Sequence, residues 1–117
     1  ILSAATMNNY SWGIGVSNGV DAHRHHYHGN KISGCSRGTA ISGPAGGPYN
    51  RIDFRLEGND YESCPIAHRQ DQPASGYFQN NTGTGCATPI SRVGNGLLVP
   101  AGGTYTTWID APNAIVP

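Results

Sequence analysis

The stretch Arg51-Ile52-Asp53-Phe54-Arg55-Leu56-Glu57-Gly58-Asn59-Asp60 carries the cleanest alternation in the chain. Ile52, Phe54 and Leu56 alternate with Arg51, Asp53 and Arg55, the two-residue period of a strand with one buried face. Gly58-Asn59-Asp60 ends it with turn chemistry. Outward from this strand the same pattern recurs in shorter pieces. Tyr10, Trp12, Ile14 and Val16 alternate with Ser11, Gly13 and Gly15 before Asn18-Gly19. Residues 61–66, 76–79, 90–93 and 105–109 read as further strands, and Asn95-Gly96 between Val93 and Leu97 reads as a tight hairpin turn. No segment shows the 3.6-residue apolar stripe of a helix. The expected fold is all-β: a small antiparallel β-sandwich or barrel of six to eight short strands over 1–117, with long Gly-rich loops and one disulfide.

Composition narrows the function classes. The chain has 117 residues, with seven Lys and Arg against seven Asp and Glu. This balance argues against general nucleic-acid binding, whose affinity rests on many cation–phosphate contacts. Seventeen Gly and eight Pro disfavour helix bundles. No apolar run approaches the roughly 20 residues that span a bilayer as a helix. Two segments, Lys31 to Pro48 and His68 to Ala87, lack a pattern and read as long loops that present a binding surface on a rigid scaffold. Pro44-Ala45-Gly46-Gly47-Pro48-Tyr49 is echoed by Pro100-Ala101-Gly102-Gly103-Thr104-Tyr105, either as equivalent loops or as common turn-then-strand chemistry.

The opening Ile1-Leu2-Ser3-Ala4-Ala5 reads as a mature N-terminus after signal-peptide removal. The sequons at Asn9 and Asn80 fit a secreted, extracellular glycoprotein. Cys35, Cys64 and Cys86 form no Cys-x-x-Cys pair. In an oxidising compartment three cysteines give one disulfide and one left-over thiol. The similar settings Ser33-Gly34-Cys35-Ser36 and Thr84-Gly85-Cys86-Ala87 favour Cys35–Cys86, worth roughly 3–4 kcal/mol through loop closure. Cys64 is then a buried free thiol or a link to a second chain.

The densest chemistry lies in Asp21-Ala22-His23-Arg24-His25-His26-Tyr27-His28, which holds four of the five histidines. On a strand, His23, His25 and Tyr27 share one face, and Arg24, His26 and His28 share the other. His23 and His25 could supply two ligands to Zn or Cu. Without metal, the cluster makes the surface cationic on acidification, which attracts anionic wall polymers or lipid headgroups. A third reading is a solvated edge strand protected by charge. His23, Arg24, His25, His26, Tyr27, His28 and Tyr77 are the binding candidates, with Tyr49 and Trp108 as further aromatic anchors. No Gly-x-Ser-x-Gly elbow and no phosphate-cradling loop occurs, and no cofactor is expected.

Three short motifs carry a resemblance: Ile52-Asp53-Phe54, then Tyr61-Glu62-Ser63-Cys64-Pro65-Ile66, then Pro89-Ile90-Ser91-Arg92-Val93. In that order they resemble the sheet of secreted fungal guanyl-specific ribonucleases and ribotoxins. The resemblance implies that Glu62 is a general base for a ribose hydroxyl and Arg92 a phosphate-binding arginine. This chain has one extra residue between Glu62 and Pro65, no His within 105–109 and no counterpart of the family's N-terminal helix. Those departures imply a catalytically impaired relative that binds.

The principal expectation is therefore a small secreted binding protein, a microbial and possibly fungal effector, elicitor or toxin-like module working through its loops. Its partner is an extracellular host or cell-surface target, whether protein, polysaccharide or membrane. The alternatives are the ribonuclease-like protein and the His-cluster metal-binding protein.

Overall fold

A computed structural model describes residues 2–3, 12–16, 22–42, 52–72, 74–92, 108–110 and 112–117; for 2, 3, 12, 16, 22–24, 52 and 108–110 it describes the backbone alone. The described strands are β1 (Leu2–Ser3), β2 (Trp12–Val16), β3 (Ala22–His28), β4 (Lys31–Ser33), β5 (Arg37–Ile41), β6 (Ile52–Glu57) and β7 (Asp60–Glu62). They continue with β8 (Ile66–Gln70), β9 (Ser75–Gln79), β10 (Thr82–Thr84), β11 (Thr88–Arg92), β12 (Trp108–Asp110) and β13 (Ala114–Ile115). All-β character is as expected, and β2, β6, β9, β11 and β12 fall where alternation placed strands.

Their pairing differs from the expectation. The strands form three sheets, ordered β1-β4-β7-β10-β13, β11-β8-β5-β2 and β12-β9-β6-β3, and every pairing is parallel. The chain visits the third sheet, the first and the second in turn, then starts the next coil one rung further on. This is a parallel β-helix, not an antiparallel sandwich or barrel. Parallel neighbours require a long crossover, and here the crossover is the other two strands of the same coil. Alternation and turn residues identify strands but not the direction of their neighbours. Gly58-Asn59 is indeed a turn, but it bends β6 into β7 around a corner instead of reversing it. The segment 61–66, expected as one strand, breaks at a second corner between β7 and β8.

Both corners recur in three consecutive coils. Gly29, Gly58 and Asn80 take the left-handed conformation (φ 68°, 66° and 54°) and each precedes an asparagine: Asn30, Asn59 and Asn81. Gly34, Ser63 and Gly85 do the same at the next corner (φ 68°, 54° and 68°), and each precedes a cysteine. Gly and Asn tolerate this region best. The expected loops largely resolve into these coils, since β4 and β5 occupy 31–41 and β9 and β10 lie within 68–87. The Pro44–Tyr49 and Pro100–Tyr105 echo and the Asn95-Gly96 hairpin lie outside the described residues.

At the first corner the asparagines form a ladder. Asn59 Oδ1 accepts from the backbone N and Nδ2 of Asn30, both at 3.1 Å. Asn81 Oδ1 accepts from the same groups of Asn59 at 2.9 and 3.2 Å, and Asn113 Oδ1 from those of Asn81 at 3.0 Å each. The Nδ2 groups of Asn59, Asn81 and Asn113 also donate to the carbonyls of Tyr27, Leu56 and Phe78 at 3.0–3.1 Å. Corner backbone that has left the sheet is thereby hydrogen-bonded to the next rung.

The cysteines stack at the second corner, all reduced and all buried. No disulfide forms. Cys35 and Cys86 stand two rungs apart with Cys64 between them, about 10 Å at ~4.8 Å per rung, beyond the ~7 Å reach of a bridge. The thiols instead donate to carbonyls: Cys64 Sγ to Ile32 and Glu62, Cys86 Sγ to Tyr61 and Thr84, and Cys35 Sγ to Ser33. Burial pushes the Cys64 thiol up to about 11, which keeps it protonated.

Between the sheets lies a core of Ile32, Ile41, Phe54, Leu56, Tyr61, Phe78 and Ile115 with the three cysteines. Tyr61 reaches across it. A Cβ on Gly38 would stand 2.4 Å from Tyr61 Cδ1, so a side chain there would displace the ring. One polar chain is buried beside Tyr61. Its hydroxyl lies 3.1 Å from Thr39 Oγ1, which lies 2.9 Å from His68 Nδ1, while His68 Nε2 meets Gln70 Oε1 at 3.2 Å. The amide oxygen only accepts, so the imidazole carries a proton on Nε2. The His68 ring stacks on Phe78 at 5.3 Å. Burial lowers its pKa to about 4, with Arg92 adding to the effect and the Gln70 hydrogen bond opposing it.

Two predictions follow from these contacts. Asn59→Ala or Asn81→Ala removes an acceptor used by two donors and should destabilise by about 2–4 kcal/mol, whereas Asn30→Ala, which removes one donor, should cost about 1 kcal/mol. Urea denaturation checks the order, and equal effects would contradict the ladder. His68 is neutral when folded and titrates at the ordinary pH of about 6.5 when unfolded. Its contribution is therefore complete above pH 6.5 and is lost as the pH falls towards 4, amounting to about 3 kcal/mol. Denaturation of His68→Gln against the native chain from pH 7 to 4 should show the difference shrinking in that window.

Candidate binding face

The third sheet turns one side to the core and the other to solvent, and the strand period sorts the histidine cluster between them. On β3, His25 and Tyr27 point inward: the Tyr27 ring lies 5.1 Å from Phe54, and His25 lies 5.7 Å from Phe54 and 6.3 Å from Tyr27. Half-buried among rings, these two belong to the packing. His26 and His28 are exposed on the outer side, their rings 5.8 Å apart. His23 and Arg24 lie on β3, but their side chains are outside the described residues, as are those of Tyr49 and Trp108.

Parallel register carries the outer side across three rungs. His26 is level with Arg55, and Arg55 with Tyr77; His28 is level with Glu57, and Glu57 with Gln79; Asp53 is level with Ser75. The Arg55 guanidinium lies over the Tyr77 ring at 5.3 Å, a cation–π contact between neighbouring rungs. Glu57 joins the two columns. Its Oε1 accepts from Gln79 Nε2 at 3.0 Å, and its Oε2 lies 3.3 Å from His26 Nε2. The Gln79 hydrogen bond holds its carboxyl below the usual range, with His26 and His28 contributing and partial burial opposing.

Cation, carboxylate, amide, imidazole and phenol thus meet on one flat surface. His26, His28 and Tyr77 of the sequence-based candidates come together there. Arg55, Glu57 and Gln79 were missed, because only the register of stacked coils brings them level with the histidines.

The other candidates are placed elsewhere. Glu62 lies on β7 in the first sheet, where Lys31 Nζ meets its Oε2 at 2.8 Å. Arg92 ends β11 in the second sheet. The two residues expected to share a ribonuclease-like site therefore belong to different sheets, and His68 is sealed in the core. Among the described residues no three His, Cys, Asp or Glu side chains gather to hold a metal ion, and His25 of the suggested metal pair is stacked on Phe54. Cys64, proposed as a link to another chain, is fully buried. Asn80 is exposed at its corner, while Asn9 lies outside the described residues. Comparison with known proteins finds no matching family model, no matching curated protein and no matching solved structure.

Proposed function

We propose that this chain is an extracellular binding module whose working surface is the outer side of the β3-β6-β9 sheet, and that its partner is an extended polysaccharide. The observation that carries this reading is the alignment of His26, Arg55 and Tyr77 in one column beside His28, Glu57 and Gln79. Successive rungs repeat at about 4.8 Å, so a polymer lying along the helix axis meets His26 and His28, then Arg55 and Glu57, then Tyr77 and Gln79 at that spacing.

Surface chemistry favours a hydrophilic polymer over the other two partners considered. Among the described residues Val116 is the one large hydrophobic side chain that is exposed, and it is not on this sheet. Among the described side chains the face offers Tyr77, engaged by Arg55, and no bare apolar surface of the kind a protein hot spot or a membrane-inserting surface buries. Extracellular placement rests on the sequence features alone. The working surface is formed by strands, not by the loops that the composition pointed to.

Affinity electrophoresis through gels containing neutral or acidic polysaccharides at pH 5 tests the reading. The chain should be retarded by at least one of them. Arg55→Ala and Tyr77→Ala should weaken retardation about tenfold, while Thr84→Ala on the first sheet should leave it unchanged. Free migration in every gel, or variants that migrate like the native chain, would overturn it.

A further inference from the structure

We infer that the polysaccharide is an acidic one, that its carboxylates dock between His26, Arg55 and Gln79, and that Glu57 is a built-in competitor holding this place when the face is empty. This rests on the reading of the third sheet as the polymer-binding surface and names the ligand class and its control.

Glu57 already makes the contacts that a ligand carboxylate would seek. One oxygen takes the Gln79 amide at 3.0 Å and the other the His26 imidazole at 3.3 Å. The side chains remain open to solvent, 44% exposed for His26 and 26% for Glu57, so a soluble anion can reach them. Arg55, on the rung level with His26, is exposed and oriented by Tyr77. His28 lies beside the Gly58 corner, where a Cβ on Gly58 would stand 3.3 Å from its Nε2.

Charge decides when the ligand wins. Among the described side chains, the groups facing His26 and His28 are Asp53, Arg55 and Glu57 from β6 and Ser75, Tyr77 and Gln79 from β9. With neutral imidazoles, Arg55 is outweighed by Glu57 and Asp53, and the described side chains offer an anion no net attraction. Imidazole is the side-chain group that gains a proton on mild acidification, and this face carries two of them beside Glu57. The same side chains then carry an excess of cation, and Glu57 alone no longer neutralises its neighbours. A neutral polymer gains nothing from that change, whereas a carboxylated one gains at the β3 rung, which carries both imidazoles. The attraction is between exposed charges and weakens with salt.

The test uses the full chain and three variants, Glu57→Gln, His26→Gln/His28→Gln and Tyr77→Ala, with melting curves to confirm folding. Probes are alginate, carboxymethyl-dextran, unmodified dextran and phosphatidylserine vesicles, titrated at pH 5 and pH 7. The native chain should bind the two carboxylated polymers about tenfold more tightly at pH 5 than at pH 7. Glu57→Gln should bind them roughly threefold or more tightly at pH 7 than the native chain does. The double histidine variant should lose the gain at pH 5.

Equal affinity for carboxymethyl-dextran and dextran, a Glu57→Gln variant no tighter at pH 7, or preference for the vesicles would overturn the inference. If dextran is bound and Tyr77→Ala abolishes it, the polymer-binding face stands while its acidic ligand falls. If no polymer is bound under any condition, both fall.

Discussion

The four described corners between the third and first sheets each turn on an asparagine whose side chain does the work of a missing strand. At a β-helix corner the backbone leaves one sheet before entering the next; Gly58 N–H still reaches the Gln79 carbonyl of the next rung, but the N–H of the asparagine and the carbonyl three residues before it turn to the side chain of the next asparagine. Asn59 and Asn81 serve twice over: the carbonyl oxygen accepts from the rung before, and the amide donates back to a carbonyl of that same rung. Asn suits this because it carries both functions on a short arm. The left-handed residue before it, at Gly29, Gly58 and Asn80, sets the corner angle. Stacking is therefore specified laterally at each corner, with no need for a hairpin.

Ladder spacing also explains what the core can hold. Stacked rungs bring like positions together, so Tyr27, Leu56 and Phe78 pile up in one column and Ile32 on Tyr61 in another. Room for Tyr61 comes from glycine: its neighbour in the next rung is Gly83, where a Cβ would lie 2.7 Å from the Tyr61 carbonyl, and across the core its ring presses on Gly38. Many of the glycines that weaken any helical reading thus make room inside a narrow tube. The thiols serve similarly, as small apolar bodies with a weak donor that reaches a carbonyl of their own coil or the one before. This interior needs no cross-link, and the position of Cys64 between Cys35 and Cys86 leaves the expected pair too far apart for one.

Much of the strand content was legible, because alternation in 52–57 and 12–16 reports burial on one face regardless of the neighbour. Direction was not, since parallel and antiparallel strands share that period. A signal for the true fold was nevertheless present. Gly29-Asn30, Gly58-Asn59 and Asn80-Asn81 are each followed at fixed distance by Gly34-Cys35, Ser63-Cys64 and Gly85-Cys86. Read together these are three copies of one corner pair, whereas the matching Gly-Cys settings were taken as the two ends of a disulfide. The copies are hard to see because the ladder asparagines lie 29, 22 and 32 residues apart. The variation falls at the third corner, where 71–74 join β8 to β9 but 93–107 separate β11 from β12. The site was half legible for the same reason: His26, His28 and Tyr77 stand out by residue type, but Arg55, Glu57 and Gln79 gain meaning only when coils are set in register.

Two outer faces of the helix illustrate how a scaffold separates stability from recognition. On the first sheet, Lys31 is engaged by Glu62 at 2.8 Å, and Thr82 Oγ1 donates to Asp60 at 3.0 Å. The Glu62 hydrogen bond raises the Lys31 pKa, so the ammonium stays charged across the physiological range. On the third sheet the matching is conditional, because Glu57 is paired with an imidazole, a group whose charge follows acidity. Since the corners and core hold the coil without help from either face, outer columns are free to differ from rung to rung. The place where charge pairing depends on the surroundings is then the place where binding to an outside molecule can be regulated without disturbing the fold.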